Sequence, residues 1–180
     1  MKTTRSYIIL LVLPLVSLMG TTKAFEPTKP GTIEIKTIPA GVLLESTSEK
    51  SYFSQSNGLF MPLFRYIQKK DISMTTPVEA RINPGKMYFW VDPSQLEKAD
   101  ESTDAVTVIQ MPSRLVASIG ESGSYSEENY LDAKNRLMQW IQGQNEIEAI
   151  GEPFGVYWDG PVTPWFLKKF EVQVEVRKQT

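Results

Sequence analysis

Between residues 69 and 82, in KKDISMTTPVEARI, apolar and polar side chains alternate. Ile72, Met74, Thr76, Val78, Ala80 and Ile82 share one face, and Ser73, Thr75, Glu79 and Arg81 share the other. A period of two predicts a half-buried strand, with the first set toward a core and the second toward water. Pro77 sits within it and supplies no ladder donor. It marks either a bulge or edge where the sheet bends, or the end of a strand. The same alternation predicts a strand over 32–38, which Pro39, Ala40 and Gly41 separate from a second apolar run over 42–45. The turn signal NPGK at 83–86 predicts a hairpin into an aromatic strand over 87–91.

Elsewhere the period lengthens. Phe60, Leu63, Phe64 and Ile67 recur at helical spacing in SQSNGLFMPLFRYIQKK, and Pro62 either kinks that helix or opens its regular part. A second helix is predicted over 127–142. Ser124 or Ser126 caps it, and its stripe is Tyr130, Leu131, Lys134, Leu137, Met138 and Ile141. Between the halves, residues 92–105 are polar and acidic and read as a surface connection. Beyond it, AVTVIQMPSRLVASIG repeats the grammar of TIEIKTIPAGVLLES, with Pro39 and Pro112 separated by 73 residues. Pro153 stands in a strand expected over 148–158, roughly where Pro77 stood. A last strand alternates Val172, Val174 and Val176 with Glu171, Gln173 and Glu175.

These elements predict one α+β domain over residues 25–180. Two pseudo-twofold β-α-β repeats, about 32–91 and 105–176 with one long helix each, curl into a distorted open β-barrel. A ligand is expected at the barrel mouth or in the cleft between halves.

Composition narrows the chemistry. With 180 residues, 41% hydrophobic and 22% charged, the chain suits one packed domain and a short extra segment. That segment is residues 1–24: Lys2 and Arg5, an apolar run over 7–19, then small Thr22 and Ala24. It reads as a secretory signal cleaved after Ala24, the run being short for a membrane span of about 20 residues. A secreted or periplasmic location is therefore expected. Loss of Lys2, Arg5 and Lys23 leaves 16 basic residues against 21 acidic, a formal charge of −5. Nucleic acid is not an expected partner, because no cationic surplus exists to displace phosphate counterions. Nor is a membrane expected once the signal is gone. There is no cysteine, so stability rests on packing and hydrogen bonds. There is no histidine, which excludes Ser-His-Asp and Cys-His catalysis, the common zinc sites and imidazole-ligated haem. No glycine pattern offers a phosphate cradle.

The helix end FMPLFRYIQKKD running into ISMTTPVEARI resembles the signature of the SOUL haem-binding family. The closing GPVTPWFLKKFEVQVEV resembles that family's last strand, and the likeness spans about residues 32–176. It implies the open barrel already described, similar also to GyrI-like effector-binding domains. It further implies non-catalytic binding of haem, a related tetrapyrrole or another flat apolar ligand. The groove implied comprises Phe60, Met61 and Phe64 on the first helix and Met74 on the signature strand. Arg65, Lys168 and Lys169 would meet ligand carboxylates. A tetrapyrrole is a flat apolar disc with carboxylates on one edge, which suits aromatic and thioether faces with cations at the rim. Lys168, Lys169 and Phe170 stand where the family tends to have paired arginines and asparagine, so the bidentate fork is lost. With no imidazole, an iron ligand would come from Met61, Met74 or Tyr66. Two alternatives remain: a GyrI-like hydrolase using a glutamate with an aromatic partner, as Glu152 with Tyr157 or Trp158 would imitate, and an interaction module with a vestigial pocket. Glu79, Glu121, Glu148 and Glu171 are the other carboxylates weighed as general bases, and no spacing singles out a pair.

Overall fold

Nine strands and two long helices are seen in the computed structural model, which describes residues 22–179. The signal expectation falls on residues 1–24 and lies outside the described residues except for Thr22, Lys23 and Ala24. In chain order the elements are β1 (Ile33–Ile38), β2 (Gly41–Ser48), α1 (Tyr52–Lys69), β3 (Val78–Arg81), β4 (Gly85–Trp90), β5 (Thr107–Met111), β6 (Arg114–Ser122), α2 (Glu127–Gln142), β7 (Ile147–Ala149), β8 (Phe154–Tyr157) and β9 (Lys169–Lys178). Eight strands form one antiparallel sheet in the order β1-β6-β9-β8-β3-β4-β2-β5, and β7 pairs with the far end of β9. The result is the expected α+β class, a curled, open half-barrel with two main helices.

Exchanging β1 with β5, β2 with β6, β3 with β8 and β4 with β9 turns this strand order into its own reverse. The outer ladders obey the same exchange. Ile38 lies opposite Arg114 and Gly41 opposite Met111, so the 73-residue offset between Pro39 and Pro112 carries one pair onto the other.

Both faces of the sheet are covered. On one side Leu44, Met87, Phe89, Ala117, Tyr157, Val172 and Val174 pack with Leu59, Leu63 and Ile67 of α1 and Ala133, Leu137 and Ile141 of α2. On the other, Ile38, Leu43, Tyr88, Trp90, Val116, Phe154, Val156 and Trp158 form a second core, closed by Ala24 and Phe25. Successive residues of one strand therefore enter different cores, as Met87 and Phe89 do against Tyr88 and Trp90.

Burial on both faces corrects two expectations. Thr75 and Glu79, expected to face water, are buried, as are Glu171 and Gln173 of β9. Glu79 and Glu171 are held largely by partners distant in sequence. Glu171 accepts from Thr28 N (2.8 Å), Lys36 Nζ (2.8 Å), Ser118 Oγ (2.7 Å), Trp158 Nε1 (2.8 Å) and Gln173 Nε2 (2.7 Å). Glu79 accepts from Trp90 Nε1 (3.0 Å) and from both sides of its carboxylate by Arg114 Nη2 (2.7 and 2.9 Å). Phe25 meets the Trp90 and Trp158 rings edge-on, at 5.7 and 5.3 Å between centroids.

The prolines and helices also need correction. The strand expected over 72–82 is regular only as β3, which starts at Val78. Pro77 immediately precedes it and Pro153 immediately precedes β8, so both prolines end the approach to a strand. Thr76 is tied to the N-terminal segment, accepting from Ala24 N (2.7 Å) and donating to Thr22 O (3.0 Å). Helix α1 continues through Pro62 and breaks instead at Gln55 (φ −134°, ψ 17°). Its buried residues are Tyr52, Leu59, Leu63, Tyr66 and Ile67, which leaves Phe60 and Phe64 at the edge of the stripe. Helix α2 has the predicted bounds. Ser126 caps it, its Oγ accepting from Asn129 N (3.2 Å), and Leu131 of the expected stripe is exposed while Ala133 is buried.

Replacing Glu171 by alanine is expected to lower unfolding free energy by about 3–5 kcal/mol, because several buried donors lose their acceptor and Lys36 loses its shorter ion pair. Glu146→Ala, at an exposed position, is expected to stay within about 0.5 kcal/mol of the parent. Urea unfolding of the two variants checks this, and equal midpoints would contradict a structural role for the buried carboxylate.

Candidate functional site

Where the start of α1 crosses β3, β4 and β8, the sequence leaves a row of aromatic side chains at the edge of the core. They line a cavity of about 410 Å³, a size that suits a small molecule. Tyr52, Phe53, Ser56, Asn57 and Phe60 come from α1, Val78 and Met87 from β3 and β4, and Met74 from the extended approach to β3. Tyr125 enters from the lead-in to α2 and Tyr157 from β8. Asp159, Gly160, Pro161 and Lys168 form the rim.

The walls are organised by ring contacts. Tyr52 stacks on Tyr157 with centroids 5.6 Å apart and planes 9° from parallel, and Tyr125 lies 4.6 Å from Tyr157. Tyr157 lies flat along its own strand because position 155 is glycine: a Cβ there would stand 2.7 Å from the phenol oxygen. That oxygen is buried and completes no hydrogen bond. Tyr125 is fixed at its far end, its hydroxyl donating to Lys169 O (2.8 Å) and accepting from Asp159 N (2.8 Å). Asp159 Oδ2 in turn accepts from Lys169 N (2.7 Å), which closes the base of the 159–169 loop. The Lys168 ammonium lies 4.9 Å from the Tyr125 ring centroid, a cation held against an aromatic face at the mouth of the cavity.

Burial dominates the titration of these phenols. It raises Tyr52, Tyr125, Tyr130 and Tyr157 well above the ordinary tyrosine value. At neutral pH all four are therefore uncharged; Tyr52, Tyr125 and Tyr157 line the cavity, while the Tyr130 hydroxyl donates to Pro153 O (2.7 Å) outside it. The surface they make is apolar and polarisable, with thioethers at Met74 and Met87 and one free-standing cation at the rim.

Three of the residues implied by the family resemblance meet here: Phe60, Met74 and Lys168. Phe64 stands behind Phe60, their rings stacked at 5.5 Å, and does not line the cavity. Met61 and Arg65 are exposed on another side of α1, and Lys169 contributes only backbone to the loop base. Tyr66 is turned away, its hydroxyl donating to Glu101 O (2.7 Å). Tyr52, Phe53, Tyr125, Tyr157 and Met87 were not anticipated. Their local patterns read as helix start, cap region or strand, and only the packing of distant elements puts them in one wall.

A larger cleft of about 650 Å³ lies between the β3–β4 hairpin and α2, lined by Arg81, Lys86, Tyr88, Tyr130, Lys134 and Glu152 among others. Several of its charges are matched within the protein. Arg81 donates to Glu152 O and Glu175 Oε1, each at 3.1 Å, and Lys86 to Glu45 Oε2 at 3.1 Å. Glu152 shares this cleft with Tyr130, while Tyr157 lines the aromatic cavity and Trp158 the second core. Glu121 and Glu148 pair with Arg136 and Arg177. Among the described residues no group of three or more acidic side chains could hold a metal ion.

A family model described as SOUL heme-binding protein matches residues 22–175. Among solved structures, the chain is similar to the EcmrR C-terminal domain at 17% identity and a TM-score of 0.65, over 82% of this chain and 98% of that one. It spans 58% of the EcmrR chain in a DNA complex, again with a TM-score of 0.65, at 16% identity and over 82% of this chain. A hydrolase from Listeria innocua is similar at 12% identity and a TM-score of 0.55, over 83% and 94% of the two chains. SAV2435 bound to tetraphenylphosphonium is similar at 12% identity and a TM-score of 0.50, over 81% and 94%. At these identities the likeness is one of fold. No curated protein matches the sequence.

The phenols allow a test that needs no ligand. Their folded values lie above the unfolded one, so the stability they contribute is complete below about pH 10 and is lost as pH rises beyond it. Unfolding midpoints are expected to hold up to that pH and then fall, with phenolate absorbance appearing together with unfolding. Tyr157→Phe should leave neutral stability within about 1 kcal/mol, since no hydrogen bond is lost, and should soften the alkaline decline. Phenolate absorbance at ordinary tyrosine pH in the folded protein would contradict burial of the cluster.

Proposed function

Because this chain belongs to the SOUL heme-binding protein family, we propose that it binds haem, a related tetrapyrrole or another flat apolar acid in the aromatic cavity at the start of α1. The observation that carries the reading is the wall itself. Five aromatic rings and two thioethers enclose a volume of about 410 Å³, with the Lys168 ammonium at its mouth. Such a site takes an apolar disc by excluding water from its faces and orients it by one charged contact at the edge. The small-molecule complex of SAV2435 supports the use of this fold for binding.

The donor set fits the ring of a haem better than its iron. Met74 and Met87 are the soft donors in the cavity, and its phenols are held neutral by burial. When bound, a haem would supply redox and small-gas chemistry. The chain's own part is to hold the disc against Tyr125, Phe60 and Met74, and to place Lys168 beside its carboxylates. A binding role without catalysis accords with the carboxylates, since Glu79 and Glu171 are committed to buried donors, Glu121 and Glu148 to arginines, and Glu152 lies in the other cleft, apart from Tyr157 and Trp158. We further propose that the protein acts outside the cytoplasm, on the pattern of Lys2, Arg5 and the apolar run over residues 7–19.

Titration with hemin and with metal-free protoporphyrin separates the ring from the iron. A saturable one-to-one Soret change is expected with both. Lys168→Ala should weaken both about fivefold, as expected for one partly solvated ion pair of about 1 kcal/mol, whereas Lys169→Ala should not. Met74→Ala should shift the Soret band of the hemin complex and leave protoporphyrin affinity within about twofold, a small packing loss. Diffuse, non-saturating spectra with both compounds would overturn the proposal.

A further inference from the structure

Between Gly160 and Leu167 the chain leaves the aromatic cavity, runs through solvent and returns at Lys168. Four large apolar side chains stand on this excursion: Val162, Trp165, Phe166 and Leu167, with 93%, 67%, 59% and 57% of their surface exposed. The other exposed large apolar residues, such as Ile35, Leu96, Leu131 and Ile150, are spread over different elements. Scattered apolar residues are ordinary on a protein surface, but a contiguous group on one loop marks an interaction site. Trp165 and Phe166 meet at 5.7 Å with planes 87° apart, so the two rings present different faces outward.

We propose that this tip is a docking element for a lipid bilayer surface. Three features favour lipid as the occupant. Tryptophan and phenylalanine carried on a short loop are the side chains that settle at the boundary between headgroups and acyl chains. Lys168 and Lys169 flank the tip, and Asp159 is the only acid between residues 159 and 170, its carboxylate engaged by Lys169 N; the base therefore carries a positive surplus suited to anionic headgroups. The tip's backbone is also partly self-satisfied, as an apolar environment demands: Thr163 N donates to Gly160 O (3.2 Å), Leu167 N to Pro164 O (2.9 Å) and Lys168 N to Trp165 O (3.3 Å). From sequence the stretch reads as a proline-rich turn, and no membrane contact is expected once the signal is removed. The fold changes that reading by leaving these side chains outside both cores.

The consequence for the cavity is geometric. Gly160, Pro161 and Lys168 belong to its rim, so a tip seated in a bilayer holds the mouth at the lipid surface. An apolar ligand then passes between membrane and cavity with little exposure to water.

Trp165 provides a local readout, because Trp90 and Trp158 are buried and Trp140 half-buried. The full chain is mixed with phosphatidylcholine/phosphatidylglycerol vesicles whose acyl chains carry bromine, and tryptophan quenching is followed. Quenching is expected in the parent and should fall by at least half in Trp165→Phe, a surface change that keeps the fold. Replacing Val162, Trp165, Phe166 and Leu167 together by serine should weaken vesicle binding about tenfold or more. Lys169→Gln should weaken it about fivefold, only when phosphatidylglycerol is present. Equal quenching in parent and Trp165→Phe would overturn the proposal. So would a Trp165 emission shift that follows hemin but not vesicles, which makes the tip a cover for the cavity, or one that follows protein concentration alone, which makes it a contact between copies.

Discussion

The Glu171 carboxylate has no access to water, and a charge in that position stands only if its lone pairs are filled by donors and an opposite charge lies close. The donors come from five places in the chain: Thr28 of the N-terminal segment, Lys36 of β1, Ser118 of β6, Trp158 after β8 and Gln173 of β9. Meeting that demand fixes the register of the central strands against one another and fastens the N-terminal segment across the sheet. Phe25 is thereby brought between Trp90 and Trp158. Both indoles donate to buried carboxylates, Trp90 to Glu79 and Trp158 to Glu171. Polar pairing at this depth contributes less to net stability than to uniqueness of arrangement, because every shifted register strands a charge.

Once the second face of the sheet is closed in this way, the helix-covered face holds the remaining degree of freedom. Helix α1 breaks at Gln55, and the turn before the break carries Tyr52 and Phe53 toward Tyr157 and Tyr130. The regular part turns Leu59, Leu63 and Ile67 inward, which leaves Phe60 half-buried at the rim of the cavity. Tyr125, pinned through its hydroxyl to the loop base, completes the wall from the other half of the chain. Hydrogen bonds at residues 159 and 169 thus close the base of a loop whose tip carries exposed apolar side chains.

Much of the fold was legible in advance. Period-two alternation marked β1 and β9, an apolar run marked β2, NPGK marked the hairpin into the aromatic β4, and a serine cap at 124 or 126 marked the start of α2. The Ile-Pro and Met-Pro breaks fall between β1 and β2 and between β5 and β6. Of the site, Phe60, Met74 and Lys168 were named through family resemblance, and all three line the cavity. Phe64 and Met61 lie on other sides of α1 and do not line it, since each residue turns about 100° from the last and packing decides which side faces the cavity. Tyr125 carried no signal and Tyr157 was considered only as a partner for Glu152, since a tyrosine in a serine-rich cap and one in a short strand look alike whether or not they share a wall.

The chain alone determined what short-range physics controls: which segments alternate, where helices begin, where glycine and proline force turns, and which chemistry is absent for want of histidine and cysteine. It could not say which face of a strand meets water, because that depends on what covers the sheet. Glu79, Glu171 and Gln173 occupy polar positions of an alternating pattern and are nevertheless buried, since the sheet curls and its own N-terminal segment closes the second side. Thr28 and Glu171 are 143 residues apart, and the cavity joins residues from 52 to 168. Contacts of that range are set by the topology of the sheet, so the site, its charged rim and the exposed tip beside it were decided only when the chain folded.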